Sequence, residues 1–436
     1  MGLTKAQQVV YDGLLSDIAE ALEVDITNES MVELSGPAGV GKSYLTSTLI
    51  KELHKRKLKV AVTTPTHSSL EVIKNIASGL DDVYTGTIHA FLNLRINNDF
   101  NTGKTTLKKE KVDKPNKADI LFVDEKSMVG EDLFDYITES IDSGNIQCVV
   151  FVGDKYQLPV VNGKMFNLDV HSYELTEIVR QAEGSPIIQL ATDFRKCIEL
   201  KKYPKISLLL ERYKEKIKIT NNIGDFLNEY SNDKNDFDFR VIGSYTNEMV
   251  NVYNNGIRNA MFPNKDFLEV GDKVVLQEPN VVDTGDKFKK TLHTNGQTVE
   301  LVGVNKKTKK IKGKTLKYYN CSDSKRNPID ILDPASSQDY HSILEKISSD
   351  AKKVVGEMRR DKWEEYFSIK EEFVDVKYPM SMTIHKLQGS SYQSVYLDIR
   401  DLQASQGKSD EDDDFLFRLM YVGITRSSDK LVILSN

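Results

Sequence analysis

The feature that most constrains this chain is the segment GPAGVGKS at residues 36–43, which lies between a short apolar run and a helical pattern. The spacing G-x-x-x-x-G-K-[ST] in that setting is that of a P-loop. Its glycines let the backbone curl so that consecutive N–H groups surround a polyphosphate, with a helix N-terminus behind them. In such a loop Lys42 reaches the β- and γ-phosphates, and the hydroxyl of Ser43 holds Mg²⁺. The predicted cradle consists of Gly36, Pro37, Ala38, Gly39, Val40, Gly41, Lys42 and Ser43.

Two further apolar runs end in polar side chains. The run ILFV at residues 120–123 ends at Asp124 and Glu125. Downstream of a P-loop, this pattern predicts that Asp124 contacts Mg²⁺, directly or through water, and that Glu125 orients or deprotonates the attacking water. The run CVVFV at residues 148–152 leads to Gln157, which is suited to hydrogen-bond a γ-phosphate or its water. Because the carboxyl ends of parallel strands meet along one crevice, we expect these side chains near the nucleotide.

Composition limits the alternatives. The chain has 436 residues, of which 39% are hydrophobic and 28% charged, so we expect a globular protein with two to four domains. Its three cysteines form no CxxC pair, which argues against a disulfide framework or a zinc ribbon. The sequence shows neither a bilayer-spanning run nor a signal peptide, so we expect a cytoplasmic location. The net charge of −6 argues weakly against binding to nucleic acid. Lysines nevertheless cluster at residues 104–117 and 306–317.

Changes in pattern along the chain predict a division into four parts. The alternation of strands and helices in the first part is interrupted by a polar stretch that is typical of a small hairpin. A second α/β part follows, and it contains an alternating, turn-rich insertion with the pattern of an SH3-like barrel and then a Lys- and Glu-rich helical arm. The predicted boundaries are 1–92 and 117–184 for the first lobe, 93–116 for the hairpin, 185–262 and 376–436 for the second lobe, and 263–375 for the barrel and arm.

The ordered set of motifs resembles that of superfamily 1 DNA helicases of the RecD-like branch, and the resemblance runs from Thr4 to the C-terminus. Besides the P-loop, the matching segments are LTKAQ at 3–7, TPTH at 64–67, TIH at 87–89, VDEKSM at 123–128, GDKYQLP at 153–159, LTEIVR at 175–180, TIHKLQG at 383–389 and YVGITR at 421–426. The resemblance implies an α/β fold with two RecA-like P-loop lobes in tandem, carrying the hairpin, barrel and arm as insertions. Lys126 departs from the pattern, because relatives often have an aliphatic residue there.

The resemblance also implies roles for individual residues. Gln7 would read the adenine, Arg180 would contact the γ-phosphate, and Arg426 would be an arginine finger from the second lobe. Gln157 and Gly389 would also line the nucleotide site. The DNA backbone would be contacted by Pro65, Thr66, His67, Thr87 and His89 in the first lobe and by Thr246, Asn247, Thr383, His385 and Lys386 in the second. Phe100 at the hairpin tip is a candidate wedge, and for both Phe100 and Trp363 ordinary packing is an equal alternative.

These implications describe an ATP-dependent DNA helicase that uses ATP and Mg²⁺ in a cleft between two lobes. Closing and opening of the cleft would alternate the grip on single-stranded DNA. The RecD-like resemblance implies movement from 5′ to 3′, which no residue pattern indicates by itself. Two alternatives remain open, namely a P-loop ATPase that remodels protein partners and a DNA clamp with a relict nucleotide site. We expect a monomer that acts at duplex junctions, with replication or recombination proteins as candidate partners.

Overall fold

The computed structural model describes residues 2–23, 30–67, 69–160, 170–177, 184–283, 289–403 and 410–436. Contacts divide the chain into two units. Unit 1 consists of Met1–Asn93, Lys111–Val250 and Ser381–Asn436, and unit 2 of Leu94–Glu110 and Asn251–Met380. The hairpin segment therefore groups with the segment predicted as barrel and arm. The domain boundaries given above stay a prediction.

The helices and strands are numbered in chain order. The helices are α1 (Lys5–Glu23), α2 (Lys42–Lys55), α3 (Leu70–Ile76), α4 (Ile88–Phe91), α5 (Glu131–Asp142), α6 (Pro186–Leu200), α7 (Ile206–Glu211), α8 (Ile223–Ser231), α9 (Asn247–Met261), α10 (Ser337–Lys353), α11 (Glu357–Lys370), α12 (Ile384–Leu387), α13 (Ile399–Leu402) and α14 (Asp410–Thr425). The strands are β1 (Met31–Ser35), β2 (Val60–Thr64), β3 (Tyr84–Thr87), β4 (Leu94–Asp99), β5 (Lys104–Lys109), β6 (Ala118–Val123), β7 (Ile146–Gly153), β8 (His171–Glu174), β9 (Lys218–Thr220), β10 (Arg240–Ser244), β11 (Lys273–Leu276), β12 (Asn280–Asp283), β13 (Lys289–His293), β14 (Thr298–Glu300), β15 (Gly303–Ile311), β16 (Lys314–Ser322), β17 (Pro328–Leu332), β18 (Val376–Lys377), β19 (Ser381–Thr383), β20 (Tyr392–Asp398) and β21 (Ser427–Leu434).

Lobe 1, the part of unit 1 built on β1–β3 and β6–β8, is a parallel sheet in the order β3-β2-β6-β7-β1-β8. Strand β2 is buried at every residue, as expected for a parallel strand with helices on both faces. Helix α1 buries Val10, Leu14, Ile18 and Ala21, whose three- and four-residue spacing places them on one helical face. They join the apolar core of the sheet. The core thus fixes the strand that feeds the glycine-rich loop.

Lobe 2, the part of unit 1 built on β9, β10 and β19–β21, is a second parallel sheet in the order β19-β10-β20-β21-β9. Its apolar core joins the sheet to α6 and α14. Gly243 and Gly423 let strand and helix approach, because a Cβ at either position would meet the methyl groups of Ile384 and Leu397 at 2.7–3.2 Å. Helix α14 is therefore held closely on the sheet, and the predicted fold of two α/β lobes is confirmed.

Unit 2 is antiparallel in its described strands and also contains α10 and α11. Its sheets are β14-β11-β18, β12-β13, β15-β16-β17 and the hairpin β4-β5. A buried polar network joins three of its segments: His293 contacts Asn280 at 3.1 Å and Asp323 at 3.0 Å. The stretch predicted as one helical arm is two helices, whose apolar residues form a core with β16.

The tip of the hairpin packs on the arm within unit 2. The ring of Phe100 is half-buried and lies 6.0 Å from the ring of Phe367, in a cluster that includes the buried Trp363. Gly103 has a φ of 71°, and a Cβ there would meet the Trp363 ring at 2.3 Å. Phe100 and Trp363 are thus packed within unit 2, which is the alternative given above for both residues. The wedge role of Phe100 stays a prediction.

Among the residues that the structure describes, we find no helix with the length and apolar character needed to span a membrane.

Candidate nucleotide and nucleic-acid sites

The glycine-rich loop connects β1 to α2 in lobe 1, as predicted. Gly39 and Gly41 adopt φ values of 83° and 84°, in the left-handed region that favours glycine. Gly41 caps α2, so the helix N-terminus begins directly at Lys42. A Cβ on Gly36 would meet the carbonyl oxygen of Leu175 at 2.7 Å. The loop is therefore curled tightly over a helix N-terminus, which is the geometry that binds phosphate groups.

The side chain of Lys42 turns back into this curl. Its Nζ donates hydrogen bonds to the carbonyl oxygens of Gly36 at 2.5 Å and Pro37 at 2.9 Å. Burial lowers the pKa of Lys42, and the charges of Asp154, Glu125 and Asp124 oppose that effect. A phosphate in the curl would offer this ammonium stronger acceptors than two carbonyls. The loop and its lysine thus fit a nucleotide polyphosphate.

Asp124 and Glu125 follow β6, at the carboxyl edge of the same sheet. Glu125 has φ 55° and ψ 50°, a left-handed conformation that costs on the order of 1 kcal/mol for a residue with a side chain. Burial raises the pKa of both carboxyls, and the neighbouring Asp124 adds to the effect on Glu125, whose pKa is raised to about 7. A strained, half-buried carboxyl with a raised pKa is typical of a general base.

The donor set at this site fits Mg²⁺ only together with a nucleotide. Among the described residues, no group of three or more His, Cys, Asp or Glu side chains could hold a metal ion. The predicted ligands are one hydroxyl, on the exposed Ser43, and one carboxylate, on Asp124. Mg²⁺ in nucleotide sites uses few protein ligands and completes its shell with phosphate oxygens and water.

Lys126, the departure from the motif, forms an ion pair with Glu33 at 2.5 Å.

Residues of lobe 2 reach this site. Arg426 follows α14 and is buried, and it donates to the carbonyl oxygens of Val422 at 3.3 Å and Ser390 at 3.2 Å. Its positive charge acts against the raised pKa values of Asp124 and Glu125. The guanidinium therefore lies within electrostatic reach of the acids in lobe 1.

The loop after β7 is a second meeting point of the lobes. Gln157 is buried, and its Oε1 accepts a hydrogen bond from Gln388 of lobe 2 at 3.2 Å. Gln388 also donates to the hydroxyl of Ser127 at 2.8 Å. Ser127 and Gln388 lie inside the quoted motifs, but their contact depends on the approach of two lobes and leaves no local signal in the sequence.

Three predicted nucleotide contacts have particular surroundings. The Gln7 amide is buried and donates to the carbonyl of Val40 at 3.0 Å, so it supports the loop from behind. A Cβ on Gly389 would meet the hydroxyls of Ser69 at 2.1 Å and Thr66 at 3.7 Å, so this glycine permits a close approach to lobe 1. Arg180 lies outside the described residues.

The predicted DNA-contacting residues follow strands that are neighbours in each sheet. In lobe 1 they lie at or just after the ends of β2 and β3, and in lobe 2 at or just after the ends of β10 and β19. Since these strands are parallel, their carboxyl ends lie at one edge of each sheet. The residues are Pro65, Thr66, His67, Thr87, His89, Thr246, Asn247, Thr383, His385 and Lys386.

Several of these side chains are already engaged. The Thr87 hydroxyl accepts from the backbone N–H of Ala90 at 3.2 Å and caps α4. The Thr246 hydroxyl donates to Asp401 at 2.8 Å, and the same carboxylate accepts the backbone N–H of Thr246 at 2.8 Å. Sequence reasoning missed Asp401, because its partner lies over 150 positions away. These contacts fix the conformation of the two turns, and they occupy the backbone N–H groups of Ala90 and Thr246.

Three family models match the chain in sequence order. A model described as an AAA domain matches residues 19–200, one described as the Dda helicase SH3 domain matches residues 264–378, and one described as the UvrD-like helicase C-terminal domain matches residues 380–434. The second match falls on the segment predicted to hold the barrel and arm. The predicted SH3-like domain is thereby confirmed.

Individual relatives agree with these matches. The chain is 24% identical over 462 aligned positions to the ATP-dependent DNA helicase dda of Enterobacteria phage T4, and the alignment covers 97% of each chain. It is 32% identical over 153 positions to the ATP-dependent DNA helicase Pif1 of Campylobacter jejuni, covering 33% of this chain and 32% of that protein. The crystal structure of a Bacteroides Pif1 helicase with ADP-AlF3 and ssDNA has a TM-score of 0.51 at 16% identity, covering 99% of this chain and 92% of that chain. The last likeness concerns the fold alone, and together these findings confirm the resemblance predicted from the ordered motifs.

Proposed function

We propose, for a chain that belongs with the superfamily 1 helicases of the Dda type, that it hydrolyses ATP between its two lobes to move along single-stranded DNA and unwind duplex DNA. The observation that carries the proposal is the position of Arg426. This arginine follows α14 of lobe 2, whose Tyr421 donates to Asp154 of lobe 1 at 2.6 Å, and its charge acts to lower the pKa values of Asp124 and Glu125 of lobe 1. A site that is assembled from two lobes makes hydrolysis depend on their closure, as a motor requires.

Each residue of the site has a defined task in this proposal. Bound ATP and Mg²⁺ supply the phosphoanhydride bond that is cleaved and a cation on its phosphates. Lys42 and the loop N–H groups would bind the phosphates, while Ser43 and Asp124 would hold the metal ion. Glu125 takes a proton from the attacking water, for which its raised pKa suits it. Arg426 stabilises the charge that develops in the transition state, a contribution of about 10³-fold or more for such arginines.

The proposed DNA contacts serve to grip the backbone rather than to read sequence. Lys386 and the polar residues at the strand ends would contact phosphates, which carry no information about the base. Binding is expected to weaken as salt rises, because phosphate contacts release counterions. The relatives support the substrate class, since dda and Pif1 are DNA helicases and the Bacteroides structure holds ssDNA. From the RecD-like resemblance we infer movement from 5′ to 3′. We also propose that the chain acts as a monomer in the cytoplasm.

The main alternative is a P-loop ATPase that remodels proteins without unwinding DNA. The two proposals differ in what stimulates turnover. We expect single-stranded DNA to raise ATP turnover strongly, measured as phosphate release with and without an oligonucleotide. Turnover that DNA leaves unchanged would favour the remodelling ATPase, and the absence of any turnover would favour a clamp with a relict site.

The direction of movement needs a separate experiment. We propose strand displacement from two partial duplexes that carry the same duplex with a 5′ or a 3′ single-stranded tail. Movement from 5′ to 3′ predicts displacement with the 5′ tail only. Displacement with the 3′ tail only would overturn the proposed direction and leave the helicase activity standing.

A further inference from the structure

The loop of residues 154–158 is continuous with β7 of lobe 1 but packs with lobe 2. Tyr156 and Leu158 are 6% and 0% exposed. Both belong to the apolar cluster that forms the core of lobe 2, together with residues of α6 and α14. The residues of β7 that precede the loop belong instead to the lobe 1 core. The apolar anchors of this loop are therefore in the lobe opposite to its chain connection.

Arg418 of α14 holds the backbone of the same loop. One terminal nitrogen of its guanidinium donates to the carbonyl oxygens of Lys155 at 2.9 Å and Gln157 at 3.0 Å. The guanidinium is itself oriented by Asp414, one turn earlier on the helix, at 2.6 Å. Charged donors make stronger hydrogen bonds to carbonyls than neutral ones do. This arginine thus ties two peptide groups of the loop to lobe 2.

Tyr421, one turn after Arg418, holds the loop through a side chain. Its hydroxyl donates to Oδ2 of Asp154 at 2.6 Å, and both residues are buried. Asp154 also accepts the backbone N–H of Tyr156 at 3.0 Å. The carboxylate of Asp154 acts electrostatically on Lys42 in the phosphate cradle. The hydroxyl of Tyr421 therefore fixes an acid that lies close to the nucleotide site.

One rigid element presents these groups. Arg418 and Tyr421 are three residues apart on α14, which places them on the same helical face, and Arg426 lies just beyond the helix end. A displacement of α14 would consequently move Arg426, the loop of residues 154–158 and the Asp154 carboxylate together.

We propose that Arg418 and Tyr421 are positioning residues that make the loop of residues 154–158 travel with lobe 2, so that Asp154 and Gln157 are placed at the nucleotide only when the lobes are closed. The inference rests on the proposed ATP-driven function and assigns it a coupling element. Neither residue touches the reacting atoms in this proposal. Loss of either contact should reduce the effect of DNA on turnover more than it reduces nucleotide binding.

The decisive variant is Tyr421→Phe, which removes one oxygen and leaves the buried Asp154 carboxylate without that donor. A matched control is Tyr396→Phe, because the Tyr396 hydroxyl donates to Asp233 at the same distance of 2.6 Å, but within lobe 2. Arg418→Ala and Arg418→Lys form a second pair. Lysine can still donate to one carbonyl, so it should partly restore what alanine loses.

The full-length variants would be compared with the unchanged protein by kcat with and without single-stranded DNA, by the Kd for a fluorescent ADP, and by Tm. For Tyr421→Phe and Arg418→Ala we expect the DNA stimulation of kcat to fall about 10- to 100-fold, the range for one lost hydrogen bond to a charged group. The Kd for ADP should change less than about threefold, and Tyr396→Phe should leave the stimulation unchanged.

Two results would overturn the inference. One is full DNA stimulation in both Tyr421→Phe and Arg418→Ala. The other is a loss of ADP binding and Tm in these variants that equals their loss of turnover, which would make the contacts merely structural. If the unchanged protein itself shows no DNA-stimulated turnover, the proposed function fails, and that failure is visible before any variant is made.

Discussion

Residues 87–89 and 383–385 carry the same tripeptide, Thr-Ile-His, in equivalent places of the two lobes. Each begins at the last residue of the edge strand of a parallel sheet, β3 in lobe 1 and β19 in lobe 2, and each leads into a helix of four residues. The threonines have nearly the same backbone, with ψ 147° and 149°. Both isoleucines are fully buried, and burial lowers the pKa of both histidines. At the edges that we propose to face DNA, the two lobes are thus built alike.

The lobes differ where the phosphates are expected. Lobe 1 has the glycine-rich loop after β1 and the two acids after β6. Lobe 2 has no such loop in its described residues and instead sends the side chains of one helix, α14, to the edge of lobe 1. The comparison indicates that the two lobes have similar proposed DNA-binding edges but share one proposed site of ATP hydrolysis. ATP binding is expected to depend on lobe 1, and ATP hydrolysis on lobe 2.

The largest effect is expected from a substitution in the proposed phosphate-binding loop of lobe 1. Lys42→Ala should reduce ATP turnover to background while leaving DNA binding largely intact, because Lys42, whose Nζ lies inside the glycine-rich loop, is the proposed phosphate-binding cation. Phosphate release and fluorescence anisotropy of a labelled oligonucleotide measure the two properties. Lys126→Ala is the control, since this lysine lies beside the acids but pairs with Glu33. Turnover in Lys42→Ala equal to that of the control would dismiss the assignment.

The next largest effect is expected from removing the arginine that lobe 2 contributes to the proposed nucleotide site. Arg426→Ala should slow DNA-stimulated turnover by about 10³-fold, because in the proposed mechanism the guanidinium stabilises charge only in the transition state. Nucleotide binding should change little. The measurements are kcat with saturating DNA and the Kd for a fluorescent ADP. A variant that no longer binds nucleotide would show that Arg426 is structural, since it also bonds two carbonyls of its own lobe.

These two residues also mark what sequence could and could not predict. The phosphate cradle and the strand-end acids are local patterns, so their places in the fold followed from residue order and spacing. The hairpin, the two sheets and the barrel insertion followed from changes in periodicity. Strands β8 and β9 were not predicted, because they are edge strands of only four and three residues without an apolar alternation.

Contacts between the lobes were beyond local patterns. Arg418 has an acid four residues earlier, at Asp414, so its sequence environment is that of an ordinary surface pair on a helix. Its bonds to the carbonyls of Lys155 and Gln157 depend on how two separately formed sheets meet. The same holds for the bond between Tyr421 and Asp154. Residue identity marked the motif, but the partner was a property of the tertiary fold.

A smaller effect tests the part that the lobes share. Burial lowers the pKa of His89 and His385, and neighbouring His67 lowers that of His89 further, so the imidazoles are neutral near pH 7. A DNA phosphate nearby would favour the protonated form, so binding takes up protons and affinity for single-stranded DNA should rise as pH falls. We expect a Kd about 3- to 10-fold lower at pH 5.5 than at pH 7.5.

The histidine variants sharpen that test. His89→Gln and His385→Gln should each remove part of the pH response, and the double variant should remove most of it. Anisotropy titrations at constant ionic strength measure the Kd, because salt alone changes phosphate binding. His341→Gln is a control, since this exposed histidine belongs to unit 2 and lies on α10. If the double variant keeps the pH response, protonation of His89 and His385 does not cause it.

The smallest effect concerns how closely lobe 2 holds α14. In Gly423→Ala a methyl group would meet the side-chain ends of Leu397 at 2.9 Å and Ile384 at 3.2 Å, which must shift. Overpacking costs about 1–3 kcal/mol, and the better helix propensity of alanine returns about 1 kcal/mol. Gly256→Ala is the control, because Gly256 lies in α9 with no atom within 4 Å of an added Cβ, so Tm should be equal or higher. If Gly423→Ala moves α14 outward, its Tm should fall by a few degrees and DNA-stimulated kcat by about twofold to fivefold, while ADP binding stays unchanged. A lower Tm with unchanged stimulation would mean that the lobe absorbs the methyl group without displacing Tyr421 and Arg426.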